Sequence, residues 1–190
     1  MNTRTFLLAG LTAASVAVLF APEARADSVI KQPSRHPVYR AELEPHINIL
    51  PWHRNYGGRH YNGFNDFEFG GGFRASIEIA DPAFIRKINN TVAITFGVDF
   101  TNNNCRGCYG GHDFSFWSPV ALQWNFFLTD KWSVFGEAGF MLRSYGFLDD
   151  IYGDFTLAAG ARFHFNDKVA LTMRIGYPFV SVGVSFFVGS

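Results

Sequence analysis

The chain has 190 residues, and its 16 lysines and arginines balance 16 aspartates and glutamates, for a formal net charge of zero. That balance leaves no basic footprint for a nucleic-acid partner. Aromatic residues are 17% of the chain, 22 of them phenylalanine. That is more than one soluble core of this size readily holds, and it suits a wall with a large apolar outer surface.

The chain starts as an exported precursor does. Arg4 gives a positive n-region, residues 6–20 are apolar, and Ala24-Arg25-Ala26 forms a small-residue cleavage site, which predicts a signal peptide over 1–26 and one mature domain over 27–190. Fifteen apolar residues fall short of the about 20 that a membrane-spanning helix needs. No later stretch offers such a helix, so any membrane crossing has to be made by strands.

Residues 27–37 read as a polar lead-in. The first strand is expected over 38–49, with Ala41, Leu43, Pro45, Ile47 and Ile49 on one face and Arg40, Glu42, Glu44, His46 and Asn48 on the other. Residues 50–65, rich in Gly, Asn, His and Tyr, form a long loop. The second strand, 66–79, sets Phe67, Phe69, Phe73, Ala75, Ile77 and Ile79 against Glu68, Arg74, Ser76 and Glu78. Residues 80–90 connect to the third strand, with a short helical turn expected at Asp81-Pro82. The third strand, 91–101, alternates Val92, Ile94, Phe96, Val98 and Phe100 with Ala93, Thr95, Gly97 and Asp99.

Residues 102–113 form a second long polar loop containing Cys105 and Cys108. In an oxidising compartment this pair is expected to be a disulfide. Adding His112 gives only three ligands, a weak metal signal, and neither a metal nor a cofactor is assigned. The fourth and fifth strands, 114–128 and 132–143, flank a tight turn at 129–131. A third long loop, 144–153, precedes the sixth strand, 154–165. A second tight turn at 166–168 leads to the seventh, 169–177, and a brief turn at Pro178 leads to the last. There Val180, Val182, Val184, Phe186 and Val188 alternate with small or polar residues. Pro45 and Pro119 each remove a ladder donor, so bulges are expected at both.

Eight strands of this length, with long loops at one end and mostly tight turns at the other, predict an all-β, eight-stranded antiparallel up-and-down transmembrane β-barrel. A lipocalin-like soluble barrel would turn the apolar face inward. Its interior has room only for side chains, and the thirteen phenylalanines of that face would overfill it. Small residues (Gly72, Gly97, Gly139, Gly160 and Gly176 among them) mark the opposite face as the crowded interior. The apolar face is therefore expected to meet lipid, with Tyr145, Tyr152 and Tyr177 near the loop end and Trp124 and Trp132 near the turn end as interfacial aromatics.

Laid out this way, the chain resembles the small eight-stranded outer-membrane barrels of Gram-negative bacteria, such as the OmpX-like proteins and the membrane domain of OmpA. The most specific part of the resemblance is the last strand. Ser181, Gly183, Phe186 and Val188 match in register the terminal pattern by which such barrels are inserted, although the chain ends on Gly189-Ser190 and not on an aromatic residue. The resemblance implies an outer-membrane location, a monomer, and outer-membrane lipid and the barrel-assembly machinery as partners.

The candidate site is the interior. Arg40, Arg74, Arg143, Arg162 and Arg174 share it with Glu42, Glu44, Glu68, Glu78, Asp99 and Glu137, along with His46 and His164. Confined charges must be paired, since desolvation costs several kcal/mol per lone ion. A salt-bridged plug is therefore expected, with a narrow channel along the same residues as one alternative. Glu44 beside His46 is the start of a general-base arrangement. The other alternative is thus a lipid-modifying enzyme resembling the lipid A deacylases, for which no nucleophile or lipid access is evident. No catalysis is expected. The loops, with His53, Arg54, Arg59, His60, Tyr61, Arg106 and His112, offer a cationic, aromatic surface suited to lipopolysaccharide phosphates or a surface partner.

Overall fold

In a computed structural model, which describes residues 28–50, 68–102, 114–145 and 151–189, eight strands form one closed antiparallel barrel in chain order. They are β1 (Ala41–Leu50), β2 (Glu68–Ala80), β3 (Asn90–Asn102), β4 (Phe114–Phe127), β5 (Trp132–Tyr145), β6 (Ile151–Asn166), β7 (Val169–Tyr177) and β8 (Val180–Val188). β8 closes the barrel on β1, with Ala41 opposite Val188 and His46 opposite Gly183. The expected signal peptide, the first two long loops, and the cysteine pair Cys105 and Cys108 lie outside the described residues.

The alternation decides which way each strand faces. In β1, Glu42, Glu44, His46 and Asn48 are buried while Ile47 is 70% exposed. In β6, Arg162 and His164 are buried while Phe155, Leu157 and Phe165 are exposed. Of the thirteen outward phenylalanines read from the sequence, the twelve within the described residues are all exposed or half-buried. The core of this protein is therefore polar and its skin apolar. In the last strand, Ser181 and Gly183 face inward, and Phe186 and Val188 face outward.

Turn chemistry fixes the register at one end. Thr129 Oγ1 accepts from the backbone N–H groups of Lys131 (3.2 Å) and Trp132 (3.0 Å), and Asn166 Oδ1 accepts from that of Lys168 (2.8 Å). These are the local hydrogen bonds that make Thr and Asn favourable in tight turns. The connection between β2 and β3 has bends and turns in place of the expected helical turn. It is tied down by Asn90, whose Nδ2 donates to the carbonyls of Ile85 (2.7 Å) and Ile88 (2.8 Å).

Four further expectations need correction. The bulges are not at the prolines: they fall between Glu78 and Ala80 and between His164 and Asn166. The β3–β4 register is the same on both sides of Pro119, which lies opposite Gly97. There the Ser118 hydroxyl donates to the Gly97 carbonyl at 3.1 Å, supplying the hydrogen bond that the proline cannot. The expected third long loop is too wide, because β5 runs on to Tyr145 and β6 begins at Ile151, both past their predicted ends. β1 starts at Ala41, so Arg40 lies before the strand and is exposed, outside the interior assigned to it.

The fourth correction is the lead-in. Residues 28–39 form a strap across the turn end, held by Val29 N–H to Leu128 O (3.0 Å) and Asn89 N–H to Ile30 O (2.7 Å). Val29, Tyr39, Phe127, Ala170 and Phe187 form an apolar cluster there. His36 stacks on Phe127 at 4.2 Å and pairs with Asn89 Oδ1 at 2.7 Å. At the loop end, Leu50, Trp117, Met141 and Phe179 make a second cluster. The polar interior is thus capped by apolar residues at both ends.

Candidate functional site

Two ion-paired groups fill the middle of the barrel. In the first, Arg162 from β6 crosses to Glu42 on β1 with a two-pronged contact, Nε to Oε1 at 2.8 Å and Nη2 to Oε2 at 2.7 Å, and its Nη1 donates to Asn125 Oδ1 at 2.9 Å. The second is centred on Arg174 of β7. It grips Glu44 through both terminal nitrogens (2.7 and 3.0 Å) and Glu137 through Nε and Nη2 (both 3.1 Å). Both guanidiniums lie against the Phe135 ring, 4.2 and 5.1 Å from its centre. Planar, forked arginines suit this role because one guanidinium can satisfy two carboxylates in fixed geometry.

Asp99 and Arg74 extend the second group toward the loop end. His46 Nε2 donates to Asp99 Oδ1 at 2.6 Å, Asn48 donates to the same oxygen at 2.8 Å, and Arg74 reaches Asp99 Oδ2 at 3.2 Å. A second nitrogen of Arg74 lies 3.5 Å from Glu137, whose Oε1 also accepts from Gln123 at 2.8 Å. Glycine makes this density possible. A Cβ on Gly72 would strike Asp99 Oδ1 and come within 2.7 Å of His46 Nε2; one on Gly160 would strike the Phe135 ring.

Eight of the predicted interior residues therefore come together: Glu42, Glu44, His46, Arg74, Asp99, Glu137, Arg162 and Arg174. The others lie elsewhere or outside the described part. Arg143 lies over the Trp117 ring at 4.5 Å, near the loop end. Glu78 is half-buried at the turn end. Arg40 is outside, as described above, and the side chain of Glu68 is outside the described part.

His164 lies below the ionic middle, stacked on Phe187 at 5.4 Å. Its Nε2 is 2.9 Å from Ser133 Oγ, a pairing not anticipated from the sequence. Nδ1 has no hydrogen-bond partner among the described residues. A cavity of about 400 Å³ opens at this end, lined by Arg35, His36, Phe127, Asp130, His164 and Asp167 among others.

Sequence reasoning missed Asn125, Gln123, Phe135 and Ser133. Strand parity was the available signal, because Ser133 and Phe135 share the face of Glu137, and Gln123 and Asn125 share that of Ala121.

No family model matches the chain, and neither does any curated protein. Among solved structures it is similar to the solution NMR structure of de novo designed TMB2.3, at 14% identity and a TM-score of 0.48, over 83% of this chain and 99% of that chain.

Proposed function

We propose that this protein is a monomeric, integral outer-membrane barrel of the same kind as the OmpX-like proteins and the OmpA membrane domain. Its interior is a structural plug, and its role is exercised through the segments at the loop end. The observation that carries this reading is the inverted partition. Ile47, Phe69, Phe140, Leu157, Phe165 and Ile175 are each more than half exposed, while Glu42, Asp99, Arg162 and Arg174 are each 4% exposed or less. An apolar skin this continuous is costly in water and favourable in hydrocarbon, where a closed barrel also leaves no backbone edge unsatisfied. Ser181, Gly183, Phe186 and Val188 support insertion by the barrel-assembly machinery. The cationic residues of 51–67 and 103–113 suit lipopolysaccharide phosphates or another surface partner.

The first test is gel mobility of the outer-membrane fraction, boiled against unboiled. A heat-dependent shift is expected; a soluble protein without one would reverse the assignment in favour of a lipocalin-like binder.

Catalysis is not part of this proposal. Ser133 and His164 resemble a nucleophile and its base, but Ser133 is fully buried and no carboxylate among the described residues orients the imidazole. Purified protein should release no acyl chain from lipid A. Release that disappears in Ser133→Ala would make the enzyme reading the correct one.

A further inference from the structure

The turn end of the barrel carries charge that the interior does not use. All four lysines of the chain, Lys31, Lys87, Lys131 and Lys168, lie there and are exposed. Arg35, Arg40 and Arg86 lie at the same end and are exposed too. Among the described residues the exposed anions of this rim are Asp81, Asp130 and Asp167, so its cations exceed them by four, with Glu78 half-buried just inside. Arg35 approaches Asp130 at 3.9 Å, the one rim ion pair of an arginine or lysine among the described residues.

The cations alternate with bare apolar side chains around the circumference. Val38, 73% exposed, precedes Arg40, and Phe84, 76% exposed, and Ile85 precede Arg86 and Lys87. Trp132 follows Lys131, and Phe165 precedes Lys168, both exposed. Phe84 is held in place: its ring meets Trp124 edge-on at 5.4 Å, and Trp124 Nε1 donates to Asn90 Oδ1 at 2.9 Å. A soluble polyanion would engage the cations but leave Phe84, Val38 and Phe165 in water. A lipid leaflet meets both, with the apolar rings at the acyl boundary and the cationic ends among phosphates.

We propose that this rim binds the headgroups of acidic phospholipids in the leaflet at the turn end, and so sets the depth at which the barrel rests. The proposal depends on the membrane reading given above.

The test folds the full chain into vesicles of phosphatidylcholine alone and of phosphatidylcholine with phosphatidylglycerol. The folded fraction is read from heat-modifiable mobility across a urea series. A cation close to an anionic leaflet is worth about fivefold in an equilibrium constant, so the wild-type folded-to-unfolded ratio should rise about tenfold or more with phosphatidylglycerol and fall back at high salt. The quadruple variant R86E/K87E/K131E/K168E should fold equally well in phosphatidylcholine and gain nothing from the anionic lipid. Should it fail to fold, the corresponding four glutamine substitutions remove the charge without repulsion and should lose most of the gain.

A wild-type barrel that folds in both vesicles with no preference overturns the inference and leaves the membrane reading standing. So does a gain that survives in the variants. Stabilisation by a soluble polyanion, with indifference to lipid charge, overturns it in favour of a soluble partner. Absence of any heat-modifiable species in either vesicle removes the membrane reading and the inference with it.

Discussion

The Arg162–Glu42 pair is where the plug can be tested most directly. Both residues are 1% exposed and joined by two charge-assisted hydrogen bonds of 2.7 and 2.8 Å. Each such bond contributes roughly 1.5–3 kcal/mol. Deleting one partner should thus cost about 3–5 kcal/mol, because the other charge is left buried and uncompensated. Arg162→Met keeps an apolar stem against Phe135, and Glu42→Gln keeps the shape of the carboxylate; each should cost that amount singly. The double substitution leaves no orphan charge, and its cost should fall below about 2 kcal/mol, far less than the sum. Equilibrium urea unfolding of the protein in detergent micelles, read by tryptophan fluorescence and by mobility, measures all three. The reasoning fails if Arg162→Met costs under about 1 kcal/mol, the range of a solvated surface pair. It also fails if the two single costs simply add.

Three further outcomes follow from particular contacts. Gly160→Ala drives a methyl into the Phe135 ring and should cost about 1–3 kcal/mol, whereas Gly136→Ala, with nothing within 4 Å of the new Cβ, should cost nothing. The same unfolding titration compares the two, and equal costs would refute the crowded-interior argument. Ser118→Ala should cost about 1 kcal/mol by leaving the Gly97 carbonyl unpaired, and Pro119→Ala in that background should recover it by restoring a backbone N–H. Tyr39 lies outside the strands and its phenol is held above its ordinary 10.0, first by burial and then by the Glu42 carboxylate. Above pH 10 the unfolded chain therefore binds fewer protons than the folded one, and stability falls as pH rises. Unfolding at about pH 9 and about pH 11 should show this loss reduced in Tyr39→Phe.

What the sequence discloses here follows from the period of two. Strand alternation assigns a face to every residue independently of its partners, so the inward direction of Glu42, His46, Arg74 and Arg174 was legible from β1, β2 and β7 separately. Which inward residues meet was not legible, because Arg162 and Glu42 are 120 positions apart and their contact depends on barrel closure and stagger. Parity also fails where a strand stops. Arg40 shares the parity of Glu42, but the chain bends at Arg40 itself into the strap, and the residue ends exposed. The strap itself was hidden because residues 28–39 have the composition of a linker. Val29, His36 and Tyr39 carry the packing seven and three positions apart, and Pro33 and Pro37 between them break the helix that such spacing would otherwise suggest. The prolines misled for a related reason, since a neighbouring hydroxyl can replace the missing donor without any shift in register.

The interior is closed three times over, which bears on whether it can ever conduct. At the loop end, Trp117 and Phe179 meet edge-on at 5.1 Å over Leu50 and Met141. In the middle, the guanidiniums of Arg74, Arg162 and Arg174 are all engaged with carboxylates. At the turn end, the strap brings His36 onto Phe127 beside Tyr39 and Phe187. A hydrated ion needs a continuous wet path, so removing one barrier leaves two. Phe179→Ala, Glu137→Ala and His36→Ala should each remain silent in planar bilayers while keeping heat-modifiable mobility. Steady conductance from Phe179→Ala alone would mean that the ionic middle is already hydrated and that the aromatic cap is the gate. Arg174 and Glu137 would then be the selectivity elements of a narrow channel. Silence in all three removes the narrow-channel alternative, because no single substitution there then opens a path for ions.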